Sequence, residues 1–209
     1  MTETHFWHAD VRWENEPIEQ LRRLHSLLAV DRGAALSGLE ALASQGSLAA
    51  AIYIAMELDR LPAEKGDTET AARWYAAAAA KGSRAATYRL GILRAAKGDL
   101  LGAEAAFRMG DSQNFPPSMY CLACLYIDDT QGHFSSKNKD IIRDILERSS
   151  KLGHLFSIRD LATFYLNGKL WPRRPFRGLY LLCKLFLQIP KAIFEAVRGS
   201  TKADEMLRG

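Results

Sequence analysis

One short pattern recurs four times along the chain and narrows what it can fold into. Gly46-Ser-Leu-Ala-Ala, Gly82-Ser-Arg-Ala-Ala, Asn114-Phe-Pro-Pro-Ser and Gly153-His-Leu-Phe-Ser occupy one position, at spacings of 36, 32 and 39 residues. Eight residues after each start stand Ile54, Leu90, Leu122 and Leu161. The next residue is always small: Ala55, Gly91, Ala123 and Ala162. A repeat of this length marks stacked supersecondary units, none of which can bury its apolar face alone. Such a stack presents surface, so the pattern points to an interaction scaffold rather than to a reaction centre.

The units read as helix pairs. Long Ala/Leu/Glu/Arg runs favour helix, and few stretches alternate apolar and polar residues as strands do. The first helix of each pair is predicted at about 48–60, 84–96, 117–128 and 155–167. The second is predicted at about 68–80, 99–111, 138–151 and 175–188. The second helices share a register of small or apolar residues at −11, −8, −7, −4 and −3 from the next start. One unit has Ala71, Trp74, Tyr75, Ala78 and Ala79 there, and the next has Ala103, Ala106, Phe107, Gly110 and Asp111. Only Asp111 departs. The third has Ile142, Ile145, Leu146, Ser149 and Ser150. Residues 35–46 obey the same rule, so the N-terminal helices form a first, degenerate unit. A helix begins near Pro17, Arg32-Gly33 breaks the run, and 34–45 resumes it. The domain reading is an arm at 1–15, a solenoid at 16–189, and a basic cap or tail at 190–209. The solenoid units are about 16–45, 46–81, 82–113, 114–152 and 153–189. Small residues beside large ones let neighbouring helices approach closely.

At Ala71-Ala-Arg-Trp-Tyr-Ala-Ala-Ala-Ala-Ala-Lys-Gly82 the chain resembles the Sel1-like repeat proteins, relatives of the tetratricopeptide repeats. Their second helix has the form A-x-x-W-Y-x-x-A-A-x-x-G and their first A-x-x-x-L-G-x-x-Y-x-x-G. Ala86, Leu90 and Gly91 match the first-helix form in one unit, and Ser118, Leu122, Ala123 and Tyr126 in the next. Ser157, Leu161, Ala162, Tyr165 and Gly168 match it in the last. The likeness covers about residues 34–189. The departures are a short second unit and Asn114 in place of Gly. The resemblance implies an all-α, right-handed solenoid serving as a non-catalytic adaptor for protein complexes, often in bacterial signalling or envelope-related systems.

Sequence signals for chemistry are sparse. Cys121-Leu-Ala-Cys124 is a C-x-x-C, but Leu122 and Ala123 fall in packing columns and Cys183 lies in another unit. A small-residue core position is the competing reading to a metal or redox pair. His5 and His8, with Asp10, sit in the arm without a strong fourth ligand. Asp128-Asp129 flanks a loop, and His133 and His154 have no evident acid–base partner. Phosphate-loop, dinucleotide and nucleophile-elbow motifs are absent. The expectation is no enzyme activity and no cofactor.

Composition sets the compartment and the partner class. Three cysteines, an odd and low count, suit a reducing compartment. The N-terminus has neither a basic start nor an apolar core of the signal-peptide type. The expected location is cytoplasmic, with the inner membrane surface as the alternative. The net charge of +4 is uneven. Residues 169–209 hold nine Lys/Arg against three acids, or +6, leaving −2 for the rest. No nucleic-acid partner is expected, and the chain is read as a monomer or as bound to a protein or peptide.

Two candidate surfaces follow. First helices line the inner face of helix-pair solenoids. The inward stripe then carries Ile52, Tyr88, Tyr120 and Arg159 at +6 from each start, Met56 and Ile92 at +10, Ile127 and Leu166 at +13, and Phe156 at +3. Aromatic residues, Met and Arg favour interface hot spots. The competing reading is contact with adjacent layers, or filling by the chain's own tail. The second surface is the C-terminal segment. Trp171, Arg173, Arg174, Phe176 and Arg177 precede the nearly all-apolar 179–189, which holds Lys184. Pro190 then separates Lys191 and Phe194 from it. A basic and aromatic flank on an apolar helix suits either an interfacial membrane contact or a partner. The alternative is a buried last helix, since Gly178, Leu181, Leu182, Leu185, Phe186 and Ile189 keep the repeat spacing.

Overall fold

The computed structural model describes residues 10–60, 67–128, 139–168 and 172–197. Among the described residues the regular structure is ten α-helices and one 3-10 turn, Trp13–Asn15, with no strand. The chain divides into two compact units, with the boundary between Asp99 and Leu100. That boundary falls inside the unit read at 82–113.

In the amino-terminal unit, α1 (Ile18–Leu27), α2 (Arg32–Ser44), α3 (Leu48–Asp59), α4 (Thr68–Ala80) and α5 (Arg84–Ala96) each pack on the next in sequence. The carboxy-terminal unit holds α6 (Leu100–Ser112), α7 (Pro116–Ile127), α8 (Lys139–Lys151), α9 (Leu155–Asn167) and α10 (Pro175–Val197), again packed in order.

The recurrent start residue is a backbone device. Gly46, Gly82, Asn114 and Gly153 all have positive φ, at 106°, 92°, 53° and 93°, and Asn114 is the only such non-glycine among the described residues. Asn tolerates this region better than other side chains, so Asn114 fills the glycine position with modest strain. The same pair of bonds closes each turn. At Gly46 they are Gly46 N–H to Ala43 C=O and Ser47 N–H to Leu42 C=O. At Asn114 they are Asn114 N–H to Asp111 C=O and Phe115 N–H to Gly110 C=O. Every such turn satisfies carbonyls at the end of one helix and starts the next one residue later.

The core lies along the small/large columns. Ala71, Tyr75, Ala78 and Ala79 of α4 are buried, as are Ala103, Ala106, Phe107 and Gly110 of α6. So are Ile142, Ile145, Leu146, Ser149 and Ser150 of α8. A Cβ at Gly110 would overlap the side chain of Ser118, which shows why α6 carries no side chain where it meets α7. Asp111, the one departure from the register, accepts both arms of Arg148 at 2.7 and 3.1 Å, a two-point pairing.

Three local readings change. The break between the first two helices lies at 28–31 rather than at Arg32-Gly33. Asp31 accepts the Ala34 N–H as its N-cap, which takes both residues into the first turn. Pro17 is the N-cap of α1 rather than a first-turn residue. And α10 runs through Pro190 to Val197 rather than ending near residue 188. Pro190 cannot donate to the Phe186 carbonyl, and Ala192, 1% exposed, holds the next turn against the protein.

Candidate functional site

In the carboxy-terminal unit, α7 and α9 bring three of the sequence-predicted residues together. On α9, Ser157, Ile158, Leu161 and Ala162 are buried, so Phe156 and Arg159, three residues apart, lie on its other side. On α7, Tyr120, Cys124 and Ile127 form one stripe, with Cys124 and Ile127 half-buried.

Arg159 Nε donates to Asp160 Oδ1 at 2.7 Å, and Tyr120 donates its hydroxyl to Asp160 Oδ2 at 3.0 Å. Arg159 Nη2 closes the triangle onto the Tyr120 hydroxyl at 3.2 Å. The guanidinium lies 5.0 Å from the Phe156 ring centroid, and the Tyr120 and Phe156 rings stack at 5.9 Å. Behind them, Ser157 donates its backbone N–H to His154 Nδ1 at 3.2 Å, which puts the neutral ring's proton on Nε2. Ser157 Oγ continues to Ser149 Oγ at 2.9 Å, and Ser149 to the Pro116 carbonyl at 3.3 Å.

The electrostatics keep Tyr120, Arg159 and Cys124 protonated. Burial, helped by Cys124 and Asp160, pushes the Tyr120 phenol far above its ordinary range, so it remains a donor. The hydrogen bond to Asp160 raises the Arg159 guanidinium and keeps it charged. Burial drives the Cys124 thiol up to about 11, with Asp160 and Asp128 adding to the rise. At neutral pH Cys124 is therefore a thiol, not the thiolate that attacks or ligates. Cys121 and Cys124 are half-buried cysteines outside any disulfide, and Cys183 is an exposed one on α10.

The remaining predicted residues distribute unevenly. Leu166 is 37% exposed on α9. In the amino-terminal unit Ile52 is 1% exposed and Tyr88 6%, so both are core side chains, while Met56 and Ile92 are half-buried. In the C-terminal set, Trp171 lies outside the described residues, as do His5, His8 and His133. Arg173 is exposed and donates to the Asn167 carbonyl at 3.4 Å. Arg174 is exposed, and its backbone N–H bonds the Tyr165 carbonyl at 2.8 Å. Phe176 is 88% exposed and Phe194 51%. Arg177 pairs with Glu147 at 2.7 Å and sits over the Tyr165 ring at 4.8 Å. Lys184 donates to the Ser150 carbonyl at 3.0 Å, and Lys191 is exposed.

Two carboxylates have a role the sequence did not suggest. Glu16 accepts from the N–H groups of Leu48 and Ala49, at 2.9 and 3.3 Å, and from the Ser47 hydroxyl. Asp10 accepts from the Ala85 N–H at 2.9 Å, from Ser83 Oγ at 3.2 Å and from Arg84 Nε at 2.9 Å. Each anion sits at the N-terminal end of a first helix, where unpaired N–H groups and the helix dipole favour negative charge. Their six-residue separation in an irregular segment carries no periodic signal.

No protein-family model matches the sequence, and no curated protein matches it in sequence. Solved structures do match in shape. A protective antigen of uropathogenic Escherichia coli strains, described as displaying an SLR fold, superposes with a TM-score of 0.66 at 17% identity. That match covers 93% of this chain and 42% of the antigen. A Sel1 repeat protein from Oxalobacter formigenes gives 0.62 at 21% identity, covering 81% of this chain and 68% of that one. The chain has the Sel1-like repeat fold. At these identities the likeness concerns the fold alone, and the chain spans less than half the length of the E. coli antigen. Gly46, Gly82, Asn114 and Gly153 lie in the turns that precede α3, α5, α7 and α9, with Tyr120 on α7 and Phe156 and Arg159 on α9.

Proposed function

We propose that this Sel1-like repeat protein is a non-catalytic scaffold that binds a protein or peptide partner through the α7/α9 face, with Phe156 and Arg159 as anchors. The observation that carries the reading is the fixed stack of Arg159 on Phe156, tied to Tyr120 and Asp160. Two long side chains are already ordered there, so a partner loses little of their rotamer freedom on binding. Arg159 keeps about half of its side chain exposed, at 49%. Its charge is matched by Asp160, which supports a mixed polar and aromatic protein surface rather than a phosphate backbone. Ile127 and Leu166 extend the face with apolar contact. Helical-repeat folds of this kind serve mainly as interaction scaffolds.

The test is affinity purification of the tagged chain beside the Phe156→Ala, Arg159→Ala double variant, followed by binary binding of any differential protein in purified form. The expected result is one partner that binds the native chain and binds the variant at least tenfold more weakly. Equal binding by both chains, with the variant's helicity intact, removes this face from the function.

A further inference from the structure

The outward side of α10 is apolar along most of its length. At 3.6 residues per turn, Phe176, Tyr180, Cys183 and Leu187 form one row and Leu179, Phe186 and Ile193 the row beside it, together spanning an arc of about 140°. Phe176 is 88% exposed, Tyr180 67%, and Phe186 and Leu187 76% each. The opposite side is the one that packs inward: Gly178, Leu181 and Ala192 are buried. A Cβ at Gly178 would come within 2.7 Å of Leu166 Cγ and 3.0 Å of the Ala162 carbonyl, so α10 is pressed against α9. The repeat register placed Leu182, Phe186 and Ile189 inside, yet they are 37%, 76% and 40% exposed, because no further helix layer follows α10 among the described residues.

We infer that this face is the interface of a homodimer, in which α10 of one copy packs on α10 of a second. Three observations select that occupant. The first is area. The exposed apolar side chains of α10 present roughly 1,000 Å², beyond the 300–600 Å² of the largest patch on a typical monomer. Covered by a second copy, they bury about the 800 Å² per partner that a stable dimer needs. The second is spacing. Phe176, Tyr180, Cys183 and Leu187 follow each other at intervals of four, three and four residues, the seam of one helix laid along another. The third is charge. Two of the cations flanking the seam turn back onto their own protein, Arg177 to Glu147 at 2.7 Å and Lys184 to the Ser150 carbonyl at 3.0 Å, while Lys191 is exposed at its edge. The seam itself carries no charge, so two copies meet without like-charge repulsion. Lipid headgroups and acidic helices call for cations within the stripe, and Phe176, Tyr180, Cys183 and Leu187 supply none.

The experiment is light-scattering mass measurement of the full chain over a concentration series, with and without Phe186→Asp and Leu187→Asp. Both positions are exposed, so the variants retain the helical circular dichroism of the native chain. Leu101→Asp, at a 64% exposed site on α6, serves as control. The expected result is a mass of twice 23.3 kDa for the native chain and the control. The two seam variants dissociate at least tenfold more readily, since an unpaired charge is then buried in an apolar interface. The native chain is also run with vesicles of anionic phospholipid, and a chain ending at residue 197 is measured alone. A native monomer throughout overturns the inference. So does a native monomer that floats with the vesicles, or one that dimerises only after residues 198–209 are removed. Dimers unaffected by both seam variants overturn it as well.

Discussion

The amino-terminal and carboxy-terminal units start their first helices by different means, and the difference shows where the molecule keeps surface for others. In the amino-terminal unit Ser47 and Ser83 cap α3 and α5, and the segment ahead of α1 adds an anion to each: Glu16 at the start of α3 and Asp10 at the start of α5. In the carboxy-terminal unit α7 and α9 start from their own residues alone. Phe115, the N-cap of α7, makes no side-chain cap, and Pro116 at N1 has no N–H to satisfy. His154 caps α9 through Nδ1. The chain thus occupies the first turns of α3 and α5 itself, while Phe156 and Arg159 in the first two turns of α9 stay accessible.

Breaking the first half of that comparison gives the largest expected effect. The Asp10→Ala, Glu16→Ala double variant loses charge-assisted bonds to two helix starts and should cost about 3 kcal/mol. Amide hydrogen exchange should rise at the first turns of α3 and α5, with α7 and α9 unchanged. Uniform loss of protection across both units would show that the two carboxylates do not act locally. Next comes Gly110→Ala in the carboxy-terminal unit. The added methyl overlaps Ser118 and should cost about 1–3 kcal/mol by overpacking, read by urea denaturation.

A pH series sharpens the contrast. Burial makes the Cys124 thiol titrate higher in the folded chain, at about 11, than its ordinary value of 9.0. Its contribution is therefore fully present below about pH 9 and lost as pH rises toward 11, by roughly 2 kcal/mol. Tyr126, raised to about 12 by burial and by Glu104, extends the loss upward. Thermal midpoints should fall across this alkaline range, and Cys124→Ala should flatten the early part of the fall. An unchanged slope in Cys124→Ala would remove the thiol as the cause. The smallest effect on stability belongs to Phe156→Ala with Arg159→Ala, at under about 1 kcal/mol for partly exposed side chains, despite the loss of the partner.

Much of the helix frame was legible because it rests on local chemistry. The four start residues marked the boundaries between helices, and Asn114 was readable as a glycine substitute from its place in the repeat, although the positive φ they share was not read from it. The second-helix register named the buried faces of α4, α6 and α8. Legibility stopped where a property depends on distant chain. Ile52, Tyr88 and Tyr120 share one register position with Arg159, yet the first three are buried and Arg159 is exposed. Repeat register alone does not distinguish an inward-facing stripe from a layer contact. The capping roles of Asp10 and Glu16 lie in an aperiodic segment, so no spacing could reveal them. On α10 the repeat spacing predicted burial for Phe186, but burial needs a following layer, which spacing within one helix does not report.

The most direct test of the α7/α9 face is site-specific photo-crosslinking in the source cells. One chain carries a photoreactive phenylalanine at position 156, and a second carries it at position 30, where Val30 is 85% exposed in the amino-terminal unit. The account predicts a discrete adduct with one partner protein from position 156 and none from position 30. An adduct from position 30 with none from 156 would contradict it and move the binding surface to the amino-terminal unit.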